Sequence, residues 1–189
     1  GFAASGGSAL RDLFYEYKEL FVFPAEFRLL KEKNGLLDLE KALFISKSPD
    51  NIDLAIRDFK KLAYDLARIT TKLTRFGFSY DKFTENKFSK FTDNFIEEIT
   101  DYKYPLNTHN YDFRKSSFKS QLDRYSSKFL PYSFYEKDAY MAYPNYESFL
   151  RSAKKLLNQT FEAAYKKEGF NPKYIGLHLS LIHISEPTR

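Results

Sequence analysis

The chain of 189 residues contains no cysteine and no tryptophan, and only one methionine. Without cysteine there can be no disulfide framework, zinc–thiolate site or thiol nucleophile. That absence fits a reducing compartment, and a cytoplasmic location is the expectation. Long apolar runs are missing as well: no stretch approaches the about 18 residues that a membrane helix needs. No basic run exceeds two residues. The net charge of +5 is therefore spread over interspersed lysines and glutamates, the pattern of a solvated surface rather than a nucleic-acid interface. The sequence shows no internal repeat and no low-complexity linker. It is long enough to bury one sizeable core.

What the chain does have is aromatic bulk, 20 Phe and 15 Tyr. Phenylalanines are expected to fill helix–helix cores, and tyrosines to sit at core edges with their hydroxyls in water. Exposed tyrosines would suit stacking on a carbohydrate, although the spacing singles none out.

Taken in order, Gly35–Leu43 reads as a turn glycine and a short helix. Ser48-Pro49-Asp50 starts a longer helix, with Ser or Asp as cap and Pro tolerated in the first turn. Ile52, Ala55, Ile56, Phe59, Leu62, Ala63, Leu66, Ile69 and Leu73 carry its stripe toward Gly77. A single helix is predicted over Asp81–Asp101, through Phe83, Phe88, Phe91, Phe95, Ile96 and Ile99, and Tyr104-Pro105 ends it. Another is predicted over Asp112–Phe129. His109, in the polar loop before it, has no Cys, His or clustered carboxylate nearby in sequence, so it receives no catalytic role. Pro131–Pro144 reads as either a strand pair or a loop. Asn145 caps the last helix, with Phe149, Leu150, Ala153, Leu156, Leu157, Phe161 and Ala164 as its stripe, and Gly169 stops it. Lys173–His178 then reads as the start of a strand.

The stretch with chemical meaning is the first one, Gly1-Phe2-Ala3-Ala4-Ser5-Gly6-Gly7-Ser8-Ala9-Leu10. A glycine-rich turn runs into apolar positions Leu10, Leu13, Phe14 and Tyr17 at helical spacing. Such a junction is an anion site, because free amides and the positive end of the helix dipole point at one spot. The spacing Gly-x-x-x-x-Gly-Gly-Ser is a P-loop frame with Gly7 where Walker A has its lysine. Behind it, Glu19–Phe23 is a short apolar, aromatic run that reads as a strand ended by Pro24. Loop, helix and strand in that order begin a nucleotide-binding α/β unit, whose first strand is expected just before Gly1. The alternative for the same residues is a flexible linker ahead of a helix.

The ten opening residues resemble the 5′-phosphosulfate loop of PAPS-dependent sulfotransferases, commonly written G-F-P-K-S-G-T-T-x-L. The frame aligns without a gap and continues through Arg11–Phe14 to Ala25-Glu26-Phe27. In the heparan sulfate branch of that family a catalytic glutamate follows the second strand. It lies as far beyond the loop lysine as Glu26 lies beyond Ala4. The resemblance covers residues 1–30. It implies an α/β, P-loop (sulfotransferase-like) fold with a short parallel sheet and a large, mostly helical insertion. It also implies PAPS as sulfuryl donor, no metal, and a hydroxyl or amine of a glycan or small molecule as acceptor. Ala4, Ser5, Gly6, Gly7, Ser8 and Ala9 would hold the donor, and Glu26 would be the general base. Ala4 stands where the family carries a lysine or arginine, so a cation from elsewhere, Arg11 or Arg28, would have to serve.

The organisation expected is a partial P-loop unit at 1–30, a helical insertion at 31–170 and the opening of a further sheet strand at 171–178. Leu179–Arg189 looks like a translated transposon-type sequencing adapter, so His183 and Glu186 are given no chemistry. The family's site for the nucleotide 3′-phosphate would lie beyond His178. Two rivals stand beside the sulfotransferase reading. One is an ATP- and Mg²⁺-dependent P-loop phosphotransferase, which would lack its lysine at Gly7. The other is a helical interaction module whose loop is vestigial.

Overall fold

The computed structural model describes residues 13–14, 16–17, 19–24, 26–68, 79–105 and 138–176. The expected helix over 112–129, the loop with His109, and the segments 1–12, 131–137 and 177–189 lie outside these residues.

Residues 13–14 are helical, and the amides of Glu16 and Tyr17 donate to the carbonyls of Leu13 and Phe14 at 3.2 Å. The chain then extends into β1 (Leu20–Val22), the middle of the apolar run. β1 pairs in parallel with β4 (Tyr174–Gly176), Leu20 opposite Tyr174 and Val22 opposite Gly176. The ladder is prolonged at both ends, by Lys173 and Tyr174 amides on the Glu19 carbonyl and by the Phe23 amide on the Gly176 carbonyl. Strands far apart in sequence thus meet, as a parallel pair must when helices form the crossover.

Between them lie α1 (Leu36–Lys41), α2 (Pro49–Arg68), α3 (Tyr80–Phe83), α4 (Phe88–Ile99) and α5 (Tyr146–Lys167). A π-helical turn, Ala42–Ser46, carries α1 on to Lys47, which is left-handed at φ 47°. The short helix read at 36–43 is therefore an α-helix with a wider last turn. Gly35 sits where the 29–34 turn folds back on α1: a Cβ there would lie 2.6 Å from the Leu29 carbonyl oxygen and 2.8 Å from that of Glu32. Both obstacles are backbone and cannot rotate away. Gly35→Ala is expected to lower stability by about 1–3 kcal/mol, read from thermal unfolding.

The helix predicted over 81–101 is two helices. Asp81 accepts from the Ser89 amide at 3.2 Å and from the Ser89 hydroxyl at 2.9 Å, and Thr84 Oγ1 accepts from the Phe88 amide at 3.1 Å. Short polar side chains thus take the amides that a continuous helix would have used. Glu85 and Asn86 turn left-handed between the two, at φ 53° and 61°. The mostly helical 31–170 segment also contains a strand pair: β2 (Tyr102–Pro105) runs antiparallel to β3 (Asp138–Met141), Tyr102 opposite Met141.

Most of the predicted stripe positions among the described residues are buried: Ile52, Ile56, Phe59, Ala63 and Leu66 on α2, Phe88, Phe95, Ile96 and Ile99 on α4, Phe149, Leu156, Phe161 and Ala164 on α5. Ile69, Leu73 and the stretch to Gly77 lie outside the described residues. Asn145 caps α5 by accepting the Ser148 amide at 2.7 Å, and Gly169 leaves it at φ 69°. Phe21, Phe23 and Phe27, from the segment around β1, belong to the same hydrophobic cluster as all these helices. Tyr17, Tyr102, Tyr104, Tyr143, Tyr146 and Tyr174 are exposed as expected, whereas Tyr80 and Tyr140 are buried.

Tyr140 is tied down by α2. Asp53 accepts the Tyr140 amide at 2.8 Å and pairs with Arg57 Nε at 2.9 Å, and Lys60 Nζ donates to the Tyr140 hydroxyl at 3.1 Å. Arg57 Nη2 is buried without a hydrogen-bond partner among the described residues. Asp53→Ala would add unpaired donors on Arg57 Nε and the Tyr140 amide. A loss of about 2 kcal/mol is expected, measured by denaturant unfolding.

Candidate functional site

Parallel strands present their carboxyl ends as the usual place for a ligand crevice. The chain leaves the carboxyl end of β1 at Phe23, bends at Pro24 and reaches Glu26, which is half-buried. The 26–28 stretch is a three-residue turn in which the Arg28 amide donates to the Glu26 carbonyl at 3.0 Å. A single bond across three residues holds a turn weakly. Here a side chain from α3 completes it: the Tyr80 hydroxyl donates to the Glu26 carbonyl at 2.9 Å and accepts from the Arg28 amide at 2.8 Å.

The ring of Tyr80 cannot wander. It stacks on Phe27 with 5.7 Å between centroids and meets Phe23 and Phe88 edge-on at 5.2 and 5.0 Å. Burial pushes its hydroxyl above the usual tyrosine range, opposed by its bond to the Arg28 amide. It is a neutral donor and acceptor at every pH at which the protein would work.

Arg28 turns its guanidinium to Glu32, with 2.8 Å between Nε and Oε2. That bond is the main reason its charge is held more firmly than usual, desolvation opposing it and the fields of Glu32 and Glu26 adding to it. Glu26 and Arg28 thus sit on one turn, a carboxylate and a cation within each other's field. None of the hydrogen bonds or ion pairs among the described residues occupies the Glu26 carboxylate.

Ala4, Ser5, Gly6, Gly7, Ser8 and Ala9, the expected donor-binding residues, lie outside the described residues, as does Arg11. Tyr80 was not legible as part of this site. Ser79-Tyr80-Asp81 marks a helix start, but nothing local says that the tyrosine reaches back to residues 26 and 28. Away from this turn, a recess of about 570 Å³ opens between α3 and the end of α5 beside Ser79, Asp81, Glu85 and Lys167. Three of its polar side chains are already used: Asp81 on Ser89, Glu85 on Lys87 and Lys167 on the Lys82 carbonyl.

Among the described residues there is no group of three or more His, Cys, Asp or Glu side chains placed to hold a metal, and no helix long and apolar enough to cross a membrane. The chain matches no family model, no curated protein and no solved structure.

Proposed function

We propose that the protein transfers a sulfuryl group from PAPS to a hydroxyl or amine, with a glycan or small molecule as acceptor. The observation that carries the reading is the position of Glu26: half-buried, just past the carboxyl end of a parallel strand, with its carboxylate unoccupied among the described residues. A hydroxyl is a poor nucleophile at neutral pH, and a positioned carboxylate is what its activation requires.

In this scheme the backbone amides of about residues 5–9 hold the 5′-phosphosulfate at a helix N-terminus, and the Ser8 hydroxyl adds a hydrogen bond. Glu26 takes the acceptor's proton while the acceptor oxygen or nitrogen forms its bond to sulfur. The bond from sulfur to the phosphate oxygen breaks, and PAP leaves with that electron pair. Charge accumulates on the bridging oxygen as it departs. With alanine at position 4, Arg28 is the cation on the Glu26 turn that could meet it, its guanidinium held by Glu32.

Titration calorimetry with PAP and with ATP–Mg²⁺, on the protein expressed from the gene that encodes residues 1–178, tests the reading. One-to-one binding of PAP is expected. Binding of ATP–Mg²⁺ in its place would transfer the loop to a phosphotransferase, and heat from neither would leave a helical interaction module.

A further inference from the structure

We infer that Tyr80 is the positioning residue for Glu26: its hydroxyl pins the carbonyl of 26 and the amide of 28, and so aims the carboxylate. The role in turnover rests on the sulfuryl-transfer reading; the clamp itself rests on geometry alone.

Three features make the clamp directional, with Tyr80 fixing the turn and not the reverse. First, the Tyr80 backbone is anchored independently, since its carbonyl accepts both the Thr84 amide at 3.0 Å and the Thr84 hydroxyl at 2.9 Å. Ser79, immediately before it, bonds the Ala67 carbonyl at the end of α2 and caps α3 by accepting the Lys82 amide at 3.3 Å. Second, the ring is wedged among Phe23, Phe27 and Phe88, which leaves the hydroxyl one place to be. Third, among the described residues the turn it holds has only the 26–28 bond of its own. Its neighbours Phe27 and Leu29 are buried, whereas Glu26 and Arg28 face outward to differing extents. Without the hydroxyl, the two buried side chains would still anchor the segment, but the peptide planes on either side of Phe27 could rotate. Rotation there swings the Glu26 side chain, and a displacement of about 1 Å in a reacting group costs about a hundredfold in rate.

The test is Tyr80→Phe, which keeps the ring and deletes the clamp. Amide hydrogen exchange at Arg28 should accelerate at least about tenfold, because the Tyr80 oxygen is lost as an acceptor and the remaining 26–28 bond is left unsupported, while the amides of α4 and α5 keep their protection. In transfer assays kcat should fall about 10–100-fold, with the PAP dissociation constant and the acceptor KM unchanged. A variant that only loosened the core would move all of these together. Wild-type exchange at Arg28, or wild-type kcat, overturns the inference. Glu26→Gln is run beside it: if that variant keeps full turnover, the functional reading has failed and the clamp stands or falls on exchange alone. Should Tyr80→Phe not fold, 3-fluorotyrosine at position 80 preserves the ring while weakening the oxygen as an acceptor. Faster Arg28 exchange with reduced kcat then supports the assignment, and either value unchanged overturns it.

Discussion

Phe23→Ala is expected to remove about 3–5 kcal/mol of unfolding free energy. Phe23 is wholly buried and is the hub of an aromatic cluster, with Phe27, Tyr80, Phe83 and Phe161 at centroid distances of 5.4, 5.2, 5.8 and 5.9 Å. All four meet it edge-on, the geometry in which aromatic pairs gain about 0.5–1.5 kcal/mol beyond burial. The neighbours come from the 26–28 turn, α3 and α5, so three separately anchored elements would have to move inward to fill the void. Collapse is therefore partial, and the cost lies in the upper part of the range for an aromatic truncation. A domain has about 5–15 kcal/mol of net stability, so the variant should unfold at much lower denaturant. With no tryptophan in the chain, far-ultraviolet circular dichroism is the natural probe. A loss under about 1 kcal/mol would mean that the ring is not the hub the geometry makes it.

The same residue shows where the sequence was informative. Phe23 closes a run whose strand character rests on local composition, and the strand is there as β1. The stripes on α4 and α5, that of α2 as far as Leu66, the Asn145 cap and the Gly169 stop are all encoded within a few turns of the residues concerned, and each is found in place. What failed to show was set by contacts distant in sequence or by competition among short side chains. The break between α3 and α4 depends on whether Asp81 and Thr84 prefer amides at 88 and 89 to a continuous helix, and hydrophobic periodicity is blind to that choice. β2 exists because a partner strand lies opposite it; alone, Tyr102–Pro105 looks like a helix end. Tyr80 is the sharpest case. Tyrosine composition places hydroxyls at the water edge, yet this one satisfies two backbone groups more than fifty positions away in sequence. At the candidate site, then, the sequence pointed to Glu26 only through the resemblance of the opening loop, and nothing in it pointed to the Tyr80 bonds that hold the 26–28 turn.

Glu26→Gln is expected to lower sulfuryl transfer by about 10²–10⁴-fold, the usual contribution of a positioned general base. That corresponds to about 3–5 kcal/mol of lost transition-state stabilisation. The substitution suits the question because the fold uses Glu26 through its main-chain carbonyl, which accepts from Tyr80 and from the Arg28 amide. Glutamine keeps that carbonyl and nearly the same side-chain shape. Arg28 keeps its own partner in Glu32, so no unpaired cation is left behind. Thermal stability should therefore stay within about 0.5 kcal/mol of the parent, and PAP affinity should be unchanged, since the proposed scheme gives the donor to the loop and not to Glu26. The loss should appear in kcat rather than in the acceptor KM, since the proton moves only as the bond to sulfur forms. Transfer at the parent rate would remove Glu26 from the chemistry. A parallel loss of PAP binding would move it from base to donor site.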